Sequence, residues 1–414
     1  MSFVKQLSCV GCGRHFEAAA LMNLCPDDQR PLAMELDIPA LKAAYPRNEW
    51  YERERRDMWK FTSLLGLDIN DAEDARHLVS LGEGATPLRN YPEHPQAKLL
   101  ELDLYFKDEG RAEPGYGANP TQSFKDRGMA MAVSMARRHG LTKLVVPTQG
   151  NAGDSLAEYA LAAGIEAAII MPGDTPMPIL GRVAALARQH ESIILETCEG
   201  TIREAGDIMR SKYLPAGYFN VATFQEPGWR IEGKKTLGLE IAEPRSGDTW
   251  QLPDVIVYPT GGGTGILGMW KAFAELEALE LIGSQRPRIV SVQSEGTAPI
   301  VRAFENGDDD TAAATAGHTL ATGLNVPGGV GHAKVLQILR ESRGHALTVS
   351  ERAMEEELAR CWKQTGWWIS PEGAATLAAL APLAEIGFLR GGERVVVVNT
   401  GSFEKYLPSL RHLL

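Results

Sequence analysis

The sequence predicts an α/β protein built on two open parallel sheets, with a small cysteine-bearing segment in front of them. Three observations carry this prediction. From residue 143 the chain alternates short apolar runs with amphipathic stretches three times. A second series with the same alternation begins near residue 230. The loops that follow several of these apolar runs are rich in glycine, asparagine and threonine, the residues found where parallel sheets bind ligands beyond the carboxyl ends of their strands.

Taken in order, residues 1–35 stand apart. Cys9 and Cys12 form a Cys-x-x-Cys knuckle, and Cys25 opens the run Cys-Pro-Asp-Asp28. A zinc ribbon needs two such knuckles, giving four ligands to a tetrahedral ion. Here Asp28 stands where the last cysteine would be. A structural zinc on Cys9, Cys12, Cys25 and Asp28 is one reading; a degenerate, metal-free ribbon is the other. Residues 36–79 show helical spacing in Ile38, Leu41 and Ala44, then in Met58, Phe61 and Leu65. Ser80 to Leu88 is a Gly/Pro loop, and Leu99 to Lys107 alternates as a strand does. Gly110 to Ala118 is a further loop. Strands are then predicted over 143–147, 166–171 and 192–196, with helices over 156–163, 178–190 and 202–214. The second series gives a strand over 254–258, a helix over 265–279 and a strand over 288–292. Helices over 353–364 and 372–383 and a last strand over 394–398 follow, and Gly307 to Thr315 is an exposed polar loop. The predicted division is a ribbon-like segment of 1–35, a large α/β domain of 36–110 with 225–414, and a smaller one of 111–224.

The formal net charge of −11 and the pI near 5.4 argue against nucleic acid or an anionic membrane as the main partner. There is no apolar run of the ~18 residues a membrane-crossing helix needs. The first residues lack the apolar core of a secretory signal. Five cysteines do not make a disulfide framework in a chain this long. A cytoplasmic location is expected.

The chemistry gathers in four stretches. In Asn119-Pro-Thr-Gln-Ser-Phe-Lys125-Asp-Arg-Gly128, Ser123 reads as a helix cap, which places Lys125 in the first helical turn. The positive end of the helix dipole disfavours an ammonium there by roughly 0.3–1 kcal/mol. An amine pushed toward its neutral form is a nucleophile suited to a Schiff base with an aldehyde; a solvated lysine at a poorly placed helix start is the alternative. Gly261, Gly262, Gly263, Thr264 and Gly265 follow a strand and open a helix, leaving bare N–H groups that suit a phosphate. The same run contains Gly263-x-Gly265-x-x-Gly268, with Glu295 ending the next strand, so a dinucleotide-binding oxidoreductase is a rival reading. Thr148-Gln149-Gly150-Asn151 also lies between strand and helix and suits a carboxylate, with Asn151 placed to meet a ring hydroxyl. Thr400, ending a buried strand, offers a neutral hydroxyl to a ring nitrogen or simply caps the strand. A phosphate, an aldehyde within reach of a lysine, an aromatic hydroxyl and a ring nitrogen together describe pyridoxal 5'-phosphate. A dinucleotide needs no first-turn lysine, so Lys125 separates the rivals.

These stretches resemble the threonine synthases, pyridoxal-phosphate enzymes of fold type II whose architecture is that of the tryptophan synthase β subunit. The likeness runs through Leu81-Gly-Glu-Gly-Ala-Thr-Pro-Leu88, Lys107-Asp-Glu-Gly110, the Asn119–Gly128 motif, Gly150-Asn151, Glu295-Gly-Thr-Ala-Pro-Ile300 and Thr400-Gly401. It also covers the zinc-ribbon-like start. The resemblance implies that Lys125 carries the cofactor and shuttles protons, and that Asn151 meets the ring hydroxyl. It implies that Gly261 to Gly265 hold the phosphate and Thr400 meets the ring nitrogen. Thr86, Ser123, Thr148, Gln149 and Gly150 fall at substrate-contacting positions. The implied reaction turns O-phosphohomoserine and water into threonine and phosphate, in a homodimer. This chain departs from the pattern close to the substrate. Gln122 stands where relatives have glycine, Arg111–Ala118 is an inserted loop, and Gln149 and Asp154 replace small residues. Asp154 would repel an anionic substrate unless paired, with Arg127 or Arg111 as the expected partners. A relative that performs β-elimination or β-replacement on another phosphorylated or hydroxylated amino acid, such as O-phosphoserine, is therefore the alternative.

Overall fold

The computed structural model describes residues 3–46 and 48–413. They divide into two compact units, one of 1–85 with 119–236 and one of 86–118 with 237–414. The sequence expectation had grouped 36–85 with the carboxyl-terminal residues. Packing explains the observed grouping. Gly66 sits against the sulfur atoms of Met34, Met131 and Met135, and the Val79 amide donates to the Ser134 hydroxyl at 2.9 Å.

The first unit holds two sheets. Strands Val4–Cys9, His15–Glu17 and Leu32–Leu36 form an antiparallel ribbon with Val4–Cys9 in the middle. Four parallel strands follow in the order Ile193–Cys198, Glu166–Pro172, Lys143–Pro147 and Phe219–Asn220. The middle strands are continuous apolar runs such as Leu144-Val-Val146, as expected where helices cover both faces of a sheet. Helices Lys125–Arg138, Asn151–Ala163 and Met177–Gln189 provide cover, and their apolar stripes join the core around Met131, Leu156 and Ile169.

The second unit holds a six-stranded sheet in the order His345–Val349, Arg288–Ser294, Val255–Pro259, Arg394–Asn399, Asp103–Asp108 and Leu88–Asn90. All neighbours are parallel except the last pair. Helices Thr264–Ala278 and Pro371–Ala378 pack beside it, and the core is centred on Val257, Val397, Ala375 and Leu377.

The predicted strands and helices of the alternating series are present, their ends displaced in places. The clearest such case is the helix expected from residue 156, which already starts at Asn151. Leu99–Lys107 is a correction. Pro95 starts a short helix, Pro95–Leu100, which Glu101 ends with a φ of +51°, so the strand begins only at Asp103. Helix Trp229–Ala242, helices Pro299–Asn306 and His332–Glu341, and strand His345–Val349 had no counterpart in the sequence reading. No helix among the described residues is long and apolar enough to cross a membrane.

Candidate active site

In the first unit, Lys125 is the first residue of helix Lys125–Arg138, and its side chain is half-buried. The capping residue is Phe124 rather than Ser123, and no side chain caps the helix. Ser123 still contributes, accepting from the Lys125 amide through its hydroxyl at 3.4 Å. The loop is held by the next residue. The buried Asp126 carboxylate accepts from the Thr121 amide at 2.7 Å, the Thr121 hydroxyl at 2.6 Å and the Ser155 hydroxyl at 2.6 Å. Ser155 lies one turn into helix Asn151–Ala163, so a single carboxylate ties the lysine loop to the neighbouring helix start. Gln122 has a φ of +59°, a conformation that costs an L residue roughly 1–2 kcal/mol and that glycine adopts freely.

Strand Lys143–Pro147 delivers Thr148, Gln149 and Gly150 to the start of helix Asn151–Ala163, whose cap is Gly150 with no side-chain hydrogen bond. The Thr148 hydroxyl accepts from the Gly150 amide at 3.2 Å and holds the turn. Nothing stands within 4 Å of where a Gly150 Cβ would be. The loop is therefore open, and the first N–H groups of a 13-residue helix are uncapped, a setting for an anion. Gln149 donates to Asp174 at 2.9 Å. Asp154 is fully buried and takes a hydrogen bond from Arg182 Nε at 3.0 Å. The expected partners were Arg127 or Arg111. Arg127 donates to the Thr236 hydroxyl at 2.9 Å.

The ribbon brings its four predicted ligands together. One ligand atom from each of Cys9, Cys12, Cys25 and Asp28 lies within 4.8 Å of the others. Cys12 and Cys25 place their sulfurs 3.8 Å apart, the edge length of about 3.8 Å that a tetrahedron of ~2.3 Å zinc–sulfur bonds would have. The Cys9 thiol donates to Asp28 at 3.2 Å, and burial pushes that thiol up to about 12.

In the second unit, strand Val255–Pro259 runs through Thr260 into Gly261, Gly262 and Gly263, and helix Thr264–Ala278 follows. Gly263 caps it with a φ of +86° and offers no side chain to the first turn, which again leaves helix-start N–H groups for an anion. Gly265 is required for a different reason. A Cβ there would stand 2.0 Å from the Tyr258 hydroxyl, so local packing explains this glycine without any dinucleotide. The Gly261 carbonyl lies 3.0 Å from His332 Nε2. Thr400 follows strand Arg394–Asn399 and is buried, while Asn399 is fixed by Ser370 and Asp108. Thr86 lies in a buried polar cluster. The Lys107 ammonium donates to its carbonyl and its hydroxyl, each at 2.6 Å, and that hydroxyl donates to Glu109 at 2.5 Å. The inserted loop Arg111–Ala118 has no regular structure; Glu113 anchors it by accepting from Arg89 Nε at 2.5 Å.

The structure thus gathers Ser123, Lys125, Thr148, Gln149, Gly150 and Asn151 in one unit, and Thr86, Gly261 to Gly265 and Thr400 in the other. Sequence reasoning missed Lys234, Arg230 and Glu226. They lie buried on or beside a helix whose even spread of charges gave no periodic signal. The donor set fits a phosphorylated aldehyde: an amine at one uncapped helix start, with further uncapped starts beside glycines.

Residues 79–401 match the family model described as pyridoxal-phosphate dependent enzyme. Threonine synthase from Methanosarcina acetivorans is 30% identical over 96% of this chain and 92% of its own length. Threonine synthase from Methanocaldococcus jannaschii is 28% identical over 95% and 91%. Among solved structures, the processed form of threonine deaminase isoform 2 from Solanum lycopersicum superposes with a TM-score of 0.63 at 21% identity, covering 82% of this chain and 89% of that one. The chain belongs to the pyridoxal-phosphate dependent enzymes of fold type II.

Proposed function

We propose that this enzyme is a lyase that converts O-phosphohomoserine and water to L-threonine and phosphate. The observation that carries the reading is Lys125 at the uncapped start of its helix, tied through Asp126 to the open, uncapped Thr148–Asn151 turn. The threonine synthases matched over nearly the whole chain support the substrate choice. The bound cofactor supplies the electron sink that makes a Cα proton acidic. Lys125 would hold it and, once released, would move protons one at a time on Nζ: off Cα and off Cβ, then back to Cγ after phosphate leaves it and back to Cα, while water gives its hydroxyl to Cβ and its proton to the phosphate. On this reading Asn151 would meet the ring hydroxyl, Thr400 the ring nitrogen, and the N–H groups of Gly261 to Gly265 the phosphate. Thr86, Ser123, Thr148, Gln149 and Gly150 are the substrate-binding residues of this reading. The four ribbon ligands Cys9, Cys12, Cys25 and Asp28 hold a structural zinc; their mutual approach supports this.

Phosphate release from O-phosphohomoserine, compared with O-phosphoserine, tests the reaction. Faster turnover of O-phosphohomoserine is expected. Preference for O-phosphoserine would replace this substrate with the β-elimination or β-replacement reading. Borohydride should bleach the yellow protein and leave the label on the Lys125 peptide; a label elsewhere would remove Lys125 from its role.

A further inference from the structure

Helices Lys125–Arg138 and Trp229–Ala242 meet at two glycines. A Cβ on Gly233 would stand 1.9 Å from the Arg127 carbonyl oxygen, and one on Gly128 would stand 3.1 Å from Lys234 Cε. Only bare backbone fits at this crossing, and the Lys234 stem runs past Gly128, one turn beyond Lys125. Lys234 Nζ consequently lies 4.6 Å from the centroid of the Phe124 ring, and Lys125 Nζ lies 4.7 Å from the same centroid. The two amines are therefore no more than about 9 Å apart. Lys234 is fully buried, while Lys125 is half-buried.

The charges facing Lys234 are Lys125 across the crossing, Arg230 one turn back on its own helix, and Glu226 in the preceding loop. Arg230 and Glu226 are also buried, and Arg230 Nε, Arg230 Nη2 and Glu226 Oε2 find no hydrogen-bond partner among the described residues. Burial alone favours the protonated, uncharged form of Glu226, which reaches about 7. The cluster thus brings three basic groups and one weakened carboxylate together, with Lys234, Arg230 and Glu226 buried. A guanidinium keeps its proton, so an amine must give one up. Burial first, then Lys125, then Arg230 push the Lys234 ammonium well below the ordinary lysine range. Like charges no more than about 9 Å apart, at an effective dielectric constant of about 20, alter each other's protonation midpoint by at least roughly one pH unit.

We propose that Lys125 and Lys234 form an amine pair that carries one proton, with Lys234 neutral whenever Lys125 is cationic. The proposal rests on the reading that Lys125 is the cofactor-bearing base. Lys234 is then a positioning residue, acting through Lys125. The reaction asks Lys125 to take protons from two neighbouring carbons. When Lys125 takes a proton from carbon, its lone pair forms the new N–H bond, the C–H electron pair stays on the substrate carbon, and a neutral Lys234 adds no second cation across the crossing. The amine pair thus never holds more than one positive charge.

The test is a carbon-13 NMR titration of protein labelled at the lysine Cε, from about pH 6 to 11, with cofactor bound and with cofactor removed. Lys234→Met assigns its resonance, and Lys234→Gln serves if that variant does not fold. In wild-type protein the Lys234 midpoint should lie well under those of surface lysines. It should rise by roughly one pH unit when Lys125→Met removes the facing charge, and hold still in Lys125→Arg, which keeps it. In the holoenzyme, Lys234→Met should move the acid limb of the kcat profile by a similar amount. A Lys234 midpoint among the surface lysines, or one indifferent to Lys125→Met, overturns the pair. The cofactor-free titration reads the two amines whether or not cofactor binds, so failure of the cofactor reading shows separately, as absence of the borohydride label on Lys125.

Discussion

Lys107→Met should remove a large share of the stability of the second unit. Lys107 lies in strand Asp103–Asp108 with its side chain 1% exposed. Its ammonium has three protons and three close acceptors, the Thr86 carbonyl and hydroxyl at 2.6 Å and the Glu240 carboxylate at 2.7 Å. Glu109 stands 3.8 Å away, and its side chain is 0% exposed. Methionine keeps the length and the packing but deletes the cation, which leaves two buried carboxylates facing each other across Thr86. Breaking a buried ion pair from one side costs ~3–5 kcal/mol, against a total of ~5–15 kcal/mol for a typical domain. At ~2–4 °C per kcal/mol, the melting temperature should fall by roughly 6–20 °C. Thermal unfolding followed by circular dichroism at neutral pH measures it. Glu240→Gln in the same chain should restore part of the loss, because the remaining groups then need less counter-charge. A single variant that melts within about 2 °C of wild type would refute the claim that Lys107 neutralises this cluster. The substrate assay adds a second reading. With Thr86 displaced, KM should rise while borohydride still labels Lys125.

Further outcomes are expected elsewhere. Gln122→Val should lose ~1–2 kcal/mol beyond any effect of Gln122→Gly, since a β-branched residue tolerates the +59° φ worst; urea unfolding compares the two. Glu226, raised to about 7 by burial, favours the folded state most fully below the ordinary glutamate value of 4.5, and that contribution is lost as pH rises through about 7. Infrared spectra should show a protonated carboxyl band near neutral pH that Glu226→Gln removes. Gly233→Ala should destabilise by ~3 kcal/mol or more, because its Cβ meets backbone that cannot yield; a soluble variant with unchanged melting would contradict the close crossing. Asp28→Cys should tighten zinc retention against a chelator, and Cys12→Ser should weaken it, as metal analysis after dialysis would read.

The alternating series was legible because its strands are buried on both faces and its helices on one, so composition changes sharply at each boundary. Strand Lys143–Pro147 and helix Thr264–Ala278 are visible as soon as Val145 and Val146, or Gly261 to Gly263, are compared with what flanks them. Lys125 at a helix start was legible for the same reason. Its cap was not, because Ser123 is a good capping residue by type while the helix starts after Phe124, and the loop is held by Asp126 through Thr121 and through the Ser155 hydroxyl, 29 residues on. Helix Trp229–Ala242 was hidden by its buried charged residues. Arg230, Glu232, Lys234, Lys235 and Glu240 point into packed surroundings, so polar residues mark the buried faces and no amphipathic stripe exists to be read. Short-range patterns report burial of apolar groups; they are silent on charges that are buried because a distant residue answers them.

Asp154 shows what that silence does to a functional argument. In sequence it stands three residues after Asn151, in the turn proposed for the substrate carboxylate, and its charge alone argues against an anionic substrate. In the structure it lies wholly buried in the first turn of helix Asn151–Ala163, answered by Arg182 Nε at 3.0 Å from the following helix. Arg182 also reaches Glu158 at 3.0 Å, so one guanidinium links two carboxylates a turn apart. Gln149, the other departure beside the turn, spends its amide on Asp174. Neither side chain presents a bare negative charge to the open loop at Gly150, where helix-start N–H groups remain to meet an anion. The substitutions that looked adverse in the sequence are therefore compatible with a carboxylate at that turn. Discrimination between O-phosphohomoserine and O-phosphoserine has to come from groups that sense chain length rather than from a change in the sign of the loop's charge.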